Sequence, residues 1–400
     1  MKAFVVNCGS SSIKYQLFSM TNETVLARGL VERVGSADAG LKHTVGERAW
    51  DSRIDAPDHT AGMRAILQAL VDDKTGVLES VDEIQAVGHR VVHGGEQVNQ
   101  PCLIDERVLG IIRENFELSP LHNPANLMGI EAAREAMPST PNVAVFDTAF
   151  LATLPPRAHR YAVPEQWYRE YHVRKYGFHG TSHRYVTLRT AGLLGKRVED
   201  VNLITAHLGN GCSMTAVAGG RAIEHTMGMT PLEGLVMGTR CGDLDPAVVL
   251  LLASKGMSGE QIDRALNKES GLLGVSGRSN DMRDLLAAMD EGDERAALAV
   301  DMFVYRIVKY VGAYYAILPS VDAVVLTGGI GENSLPVRRR ICEDLARLGA
   351  KFDPDRNERF RGGHNGAITR DDSSLPVWIV STNEELMIAR ETRAVVEGRS

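Results

Sequence analysis

The chain has 400 residues, 44% of them hydrophobic and 24% charged, which suits a globular protein long enough for two cores of about 150 to 200 residues each. Lys and Arg total 44 against 51 Asp and Glu, so the net charge of −7 excludes a broad nucleic-acid footprint, and any anionic ligand must be drawn in by local arginines. No apolar run approaches the roughly 18 residues of a membrane span, no signal-peptide pattern precedes the first strand, and Cys8, Cys102, Cys212, Cys241 and Cys342 form no C-x-x-C; the expectation is a cytoplasmic protein with reduced thiols and no membrane partner.

The first element is "VVNCGSSSIKYQLF", residues 5 to 18. An apolar run meets a glycine and three serines, and Ile13, Tyr15 and Leu17 then alternate with Lys14 and Gln16. Period two after the turn predicts a second strand, so the motif is a hairpin with Asn7 at the end of one strand and Lys14 on the other. A P-loop or dinucleotide fingerprint needs a helix after its glycines and a different spacing, and both are set aside. Gly9 and the serine hydroxyls remain suited to an anion, or simply to a hairpin turn.

Strand and helix patterns alternate along the rest of the chain, which predicts an α/β architecture. "IQAVGHRVVHGG" reads as a strand running into a glycine turn, and "NVAVFDTAFLATLP" as a strand ending at Asp147. "GFHGTSHRYVTLRTAGLLG" predicts a helix capped by Thr181 or Ser182 and closed at Gly195. "NLITAHLGNGCSMTAVAGGRAIEHTMGM" gives a strand, a glycine-rich turn and two further strands joined at "GG". The tract "AVVLLLA" at 247 to 253 reads as a core helix. "VVLTGGIGENS" at 324 to 334 reads as a third polar turn that leads through Pro336 into a helix, on which "RRR" at 338 to 340 forms a solvated face.

Residues 3 to 34 and 202 to 229 share a plan of strand, Asn/Gly/Ser turn, strand, tight connection and strand. Two related halves are therefore expected, each offering a polar turn at its sheet, an arrangement suited to gripping a nucleotide's phosphates. The boundary is expected near 148 to 160. It gives a first domain of 1–150, on which a C-terminal helix at about 385–400 packs back, and a second, nucleotide-binding domain of 151–384.

The strings "NCGSSSIK", "GHRVVHGG", "FDTAF", "GFHGTSH", "HLGNG", "GMTPLEGLVMGTRCGDLDP", "SNDMRDL", "GGIGEN" and "TNEEL", in order from residue 7 to residue 386, resemble the acetate kinase family. The resemblance implies the duplicated ribonuclease H-like fold of the sugar kinase, Hsp70 and actin superfamily, a homodimer, and reversible transfer of a phosphoryl group from ATP to acetate, giving acetyl phosphate and ADP. By motif it implies Mg²⁺, or Mn²⁺ in its place, held by Asn7 and Glu384, with Glu385 as the adjacent alternative. Ser10, Ser12 and Lys14 would line the phosphates, and Arg90 would bind the carboxylate. Asp147, His179, Arg240 and His122 would surround the transferring group. Nucleotide contacts would come from His207, Leu208, Gly209, Asn210 and Gly211, from Asp281, Met282 and Arg283, and from Gly329, Ile330, Gly331, Glu332 and Asn333. Val92, Leu121, Phe178 and Pro231 would form the pocket for the methyl group.

The residue types suit that chemistry. Charge spread over phosphoryl oxygens calls for cations, and the planar guanidinium matches carboxylate and phosphate better than an ammonium does. Acetate arrives ionised, so Asp147 has no proton to remove and is expected to order the metal or its waters, or to orient an arginine. Taken without the family, Arg240 would as readily pair with Asp243 or Asp245. His179 and His183, four apart, carry a glycine between them and no Glu in H-E-x-x-H form, which argues against zinc. Two alternatives stay open: a propionate or butyrate kinase, and a non-enzymatic ATP-switched protein on the same fold, which gives no reason for Arg90, His179 and Arg240 to occur together.

Overall fold

The computed structural model describes residues 1–120 and 122–399 and divides them into two compact units, one of Met1–Phe150 with the C-terminal segment from Asn383, the other of Leu151–Thr382. Leu121, expected in the methyl pocket, lies outside the described residues. Among the described residues no helix is long and apolar enough to cross a membrane.

The first unit is built on an eight-stranded sheet. Its strands are β1 (Lys2–Gly9), β2 (Ser12–Ser19), β3 (Thr24–Glu32), β4 (Gly40–Val45), β5 (Arg48–Arg53), β6 (Ala86–Val91), β7 (Cys102–Leu103) and β8 (Asn142–Phe146), in the order β5-β4-β3-β2-β1-β6-β8-β7. β1, β2 and β3 pair antiparallel; β1, β6 and β8 run parallel. Alternation in β2 sends Ile13, Tyr15 and Leu17 into the core with Phe4, Val6, Met63 and Ile66, while Lys14 stays exposed opposite Asn7. Each such buried side chain contributes about 1.5–3 kcal/mol. The helix Glu384–Val396 lies on this sheet and packs tightly at Gly88 of β6, where a Cβ would come within 2.2 Å of Thr392 Oγ1. Only glycine fits there.

The second unit repeats the plan. Its sheet holds β9 (Leu203–Leu208), β10 (Cys212–Ala218), β11 (Arg221–His225), β12 (Ala323–Thr327), β13 (Gly366–Ala367) and β14 (Val377–Ile379), in the order β11-β10-β9-β12-β14-β13. Again a three-strand antiparallel meander precedes two parallel strands, so β3-β2-β1-β6-β8 and β11-β10-β9-β12-β14 have one topology. The parallel strands "NVAVF" and "AVVLT" are buried along their whole length, as strands covered on both faces must be.

Four local expectations need correction. The helix Gly180–Leu193 begins before Thr181, and its cap is His179, in the left-handed region at φ 59° and with no side-chain cap bond; Thr181 and Ser182 are buried inside the first turn. "GGIGEN" is a short helix, Gly328–Asn333, and not a turn. Arg338 of "RRR" is fully buried: its Nε donates to Gly331 O at 2.7 Å, Nη1 to Phe360 O at 2.8 Å, and Nη2 to Glu332 O, so it caps the carbonyl end of that short helix. Helix Pro246–Ser254 contains no buried residue, with Leu250 71% and Leu251 55% exposed, so the "AVVLLLA" tract is a surface and not a core element.

Candidate active site

In the first unit the hairpin turn is pinned from behind. His59 Nε2 lies 2.8 Å from Gly9 O, and Asn126 Nδ2 donates to Cys8 O at 2.9 Å. Asn126 Oδ1 also accepts from Val92 N at 3.0 Å, and Asn123 holds both the N–H and C=O of His93 at 3.1 and 2.9 Å. One helix, Asn123–Ala136, thus fixes the serine turn and the end of β6 together, with exposed His122 at its N-cap. Gly129 of the same helix presses on Cys8, which fills space. Neither His59 nor the two asparagines stood out in the sequence. Only the spacing in "HNPAN", two amides three apart on one helix face, could have marked the asparagines.

At the ends of β6 and β8, Arg90 and Asp147 form a two-pronged ion pair: Nε sits 3.1 Å and Nη2 2.5 Å from Oδ2. Burial works against the charge on Arg90, but the Asp147 carboxylate outweighs it and holds the guanidinium above its ordinary range. Val92, next on the same segment, is buried. Glu385 takes Lys14 as its partner. Glu384, at the start of the last helix, makes no hydrogen bond or ion pair among the described residues. Burial pushes its carboxyl up to about 7, and the charges of Asp147 and Glu385 add to the rise against the pull of Arg90 and Lys14.

In the second unit β9 and β10 pair Thr205 with Thr215 and His207 with Ser213, which puts four polar side chains on one face. The helix Gly180–Leu193 covers that face. Ser182 Oγ meets His207 Nδ1 at 2.8 Å, and His179 and His183 both reach Ser213. Beneath the "GFHG" turn, His225 Nε2 accepts from Phe178 N at 3.2 Å, and Gly177, at φ 74°, leaves room for the imidazole. Burial drives His183 and His225 well below the usual histidine range; the neighbouring charges of His225 and His207 add to this for His183, and those of Lys175 and His179 for His225.

The turn Gly209–Gly211 lies beside this cluster. A Cβ on Gly211 would stand 3.5 Å from Arg240 Nη1 and from His179 Nε2, so backbone, guanidinium and imidazole converge there. Arg240 donates to Pro231 O at 3.1 Å and pairs with no carboxylate among the described residues. Asp243 and Asp245 are taken: the first by Arg306, Tyr310 and Gly234 N, the second as cap of the helix Pro246–Ser254. Burial lowers the pKa of Arg240. A half-buried arginine without a counter-charge is a place for an anion.

A pocket of about 670 Å³ continues from the turn, lined among others by Asn210, Asn280, Arg283, Leu286, Ile330 and Ser334. Asp281, which caps the helix Met282–Asp290, holds Arg283 in a fork at 2.6 and 3.0 Å. Glu332 turns inward: its Oε1 accepts from Thr327 Oγ1, Gly328 N and Thr382 N, so its carboxylate braces the "GGIGEN" helix and not the pocket. Asn280, Leu286 and Ser334 were not picked out in the sequence, although each lies in or beside "SNDMRDL" or "GGIGEN".

Among the described residues no three His, Cys, Asp or Glu side chains are grouped to cage a metal. Unpartnered Glu384, beside two other carboxylates, does suit a hard cation held by one or two protein oxygens and otherwise by substrate phosphates and water.

The acetokinase family model matches residues 2–390. The acetate kinase of Finegoldia magna is 51% identical over 393 residues, 98% of this chain and 99% of that protein. The acetate kinase of Thermotoga maritima is 51% identical over 399 residues, 99% of each. The crystal structure of Porphyromonas gingivalis acetate kinase matches with a TM-score of 0.94 at 45% identity, covering 99% of each chain, and a propionate kinase structure from Francisella tularensis with 0.91 at 39%, covering 98% and 99%.

Proposed function

The chain belongs to the acetokinase family, and from that premise we propose that it is a kinase of acetate, which moves a phosphoryl group reversibly between ATP and acetate by direct in-line transfer. The observation that carries the residue assignments is the unpaired guanidinium of Arg240 beside Gly211 and His179. It supplies the positive charge that a phosphoryl group in transfer needs, in a partly dehydrated place where that charge counts most.

The two clusters serve one reaction. Arg90 spends its Nε edge on Asp147, which leaves the Nη1 side of the fork for the acetate carboxylate. Val92, Phe178 and Pro231 receive the methyl group. Pro231 O also holds Arg240, so within the second unit a residue assigned to the methyl group positions the phosphoryl-binding arginine. Asp147 acts as the organiser of Arg90; acetate offers it no proton. Lys14, Ser10 and Ser12 take the phosphate end, the "HLGNG" turn and the pocket beyond it take the nucleotide, and His122 stands by the transferring group. Magnesium, when bound to Glu384 and Asn7, supplies charge neutralisation on the phosphate oxygens. Five free cysteines fit a cytoplasmic site of action, and the apolar exposed face of helix Pro246–Ser254 fits a homodimer.

The test is incubation with MgATP and formate, acetate, propionate or butyrate, trapping acyl phosphate with hydroxylamine. Acetate is expected to give the most hydroxamate. No hydroxamate with any acid defeats the assignment, and a larger yield from propionate moves it to that acid.

A further inference from the structure

Ser213 Oγ stands between two imidazoles, 2.9 Å from His179 Nδ1 and 2.8 Å from His183 Nε2. A hydroxyl carries one proton, so it donates to one ring and accepts from the other. Which way the chain runs decides the tautomer of His179.

The far end gives the direction. His183 Nδ1 lies 2.7 Å from Thr205 Oγ1, and Thr205 Oγ1 lies 3.5 Å from Thr215 O, a backbone carbonyl that only accepts. With its proton toward that carbonyl, Thr205 accepts from His183 Nδ1–H. His183 is fully buried and held neutral, so it has one N–H and its Nε2 is bare. Ser213 then donates to His183 Nε2 and accepts from His179 Nδ1–H. All four outer members, Ser213, His183, Thr205 and Thr215, are fully buried, so no water competes for these bonds.

We propose that Ser213 and His183 are positioning residues that hold the proton of neutral His179 on Nδ1, and so make its Nε2, the nitrogen beside Gly211 and Arg240, carry a proton only in the imidazolium form. The inference rests on the phosphoryl-transfer reading of this cluster. His179 thus donates to the transferring group as a cation, and the buried chain stabilises that cation by accepting from its other nitrogen. The left-handed backbone of His179 serves the same end, since it aims the ring at Ser213 from the helix start. Among the described residues, the charged or titratable groups near His179 include His207 on β9, His225 on β11 and Arg240, with His183 on the other side of Ser213. Neutral His183 is therefore required: a second imidazolium there would both repel His179 and cancel the acceptor for Ser213.

The full chain is labelled with ¹⁵N-histidine, and the His179 signals are followed against pH in wild type, Ser213→Ala and Ser213→Thr. Wild type and Ser213→Thr are expected to show neutral His179 with the proton on Nδ1. Ser213→Ala is expected to move it to Nε2 and to shift the titration to lower pH by about one unit, the scale of one hydrogen bond to a charged group. In kinetics Ser213→Ala should lower kcat about tenfold on the alkaline side with KM for ATP and acetate within about twofold, and threonine should restore it. A wild-type Nε2–H tautomer, an unchanged tautomer and rate in Ser213→Ala, or no rescue by threonine overturns the proposal. The spectra need no substrate, so a failure of the tautomer proposal is distinct from a failure of the hydroxamate assay.

Discussion

Asp147 grips Arg90 through both Nε and Nη2 while only 1% of the aspartate's surface is exposed. The aspartate is the buried half of the pair, and the arginine keeps an open edge. Replacing Asp147 with Asn leaves the guanidinium without its counter-charge and free to turn. We expect a loss of about 3 kcal/mol in chemical denaturation, from the unpaired buried charge. We expect kcat/KM for acetate to fall about 100- to 1000-fold, with KM for ATP near its original value. Asp147→Glu should recover part of the loss. An Asp147→Asn enzyme of unchanged acetate KM would show that Arg90 does not need this partner.

Glu384 sets a pH dependence whose sign is fixed. Its folded pKa is raised to about 7, so the protonated form is favoured on folding. That contribution is complete below the unfolded value near 4.3 and is lost as pH rises through about 7. Metal-free protein should lose about 2 kcal/mol from this group between pH 5 and 8, after allowance for its partial exposure, and Glu384→Gln should remove that slope. Binding of magnesium must expel the proton. Affinity measured by calorimetry should therefore rise about tenfold from pH 6 to 8 and then level off, with proton release seen as a dependence on buffer ionisation enthalpy. A pH-independent affinity would move the metal off Glu384.

The fold was legible in the sequence where local chemistry and topology agree. Period-two alternation after "NCGSSS" and the glycine-rich turn "GNGCS" between apolar runs marked the two hairpins, and their common plan pointed to the duplicated α/β fold that the match to acetate kinase structures confirms. What failed depended on distant chain. Arg338 looks like its two neighbours in "RRR", and only the carbonyls of Gly331, Glu332 and Phe360, brought there by folding, distinguish it. "AVVLLLA" is apolar whether a helix is covered by its own chain or left open, and composition cannot tell which. In the candidate site the charged residues stand in recognisable motifs, whereas Ser213, His59 and Asn126 act through one or two hydrogen bonds each to residues 30 to 118 positions away, so no local pattern marks them.

The loop that carries Arg240 is closed by a reciprocal clasp: Gly234 N donates to Asp243 Oδ1 at 2.9 Å and Asp243 N to Gly234 O at 3.0 Å. Tyr310 and Arg306 of the helix Glu294–Ile317 pin the clasp, with Tyr310 Oη 2.9 Å and Arg306 Nη1 3.0 Å from Asp243 Oδ2. Tyr310→Phe removes one bond and should cost about 1 kcal/mol and a few-fold in kcat. Asp243→Asn frees a mostly buried Arg306 as well, and should cost about 3 kcal/mol and at least about tenfold in kcat, with faster amide exchange across 234–243. Unchanged exchange in Asp243→Asn would mean that the loop is held by other contacts.

Helix Pro246–Ser254 exposes Leu250 and Leu251, and helix Glu294–Ile317 exposes Leu298 at 52% and Tyr305 at 69%. Soluble surfaces rarely leave such side chains to water without a partner, and a second copy of the chain is the occupant proposed above. Because these residues are open in the single chain, Leu250→Asp with Leu251→Asp should leave its fold intact, seen as an unchanged circular dichroism spectrum. The same pair of charges, desolvated in an apolar contact, should weaken association by several kcal/mol. Light scattering after size exclusion is expected to show a dimer for wild type and a monomer for the double variant at micromolar concentration. A double variant that remains dimeric would place the contact on another face, and a monomeric wild type would end the homodimer assignment.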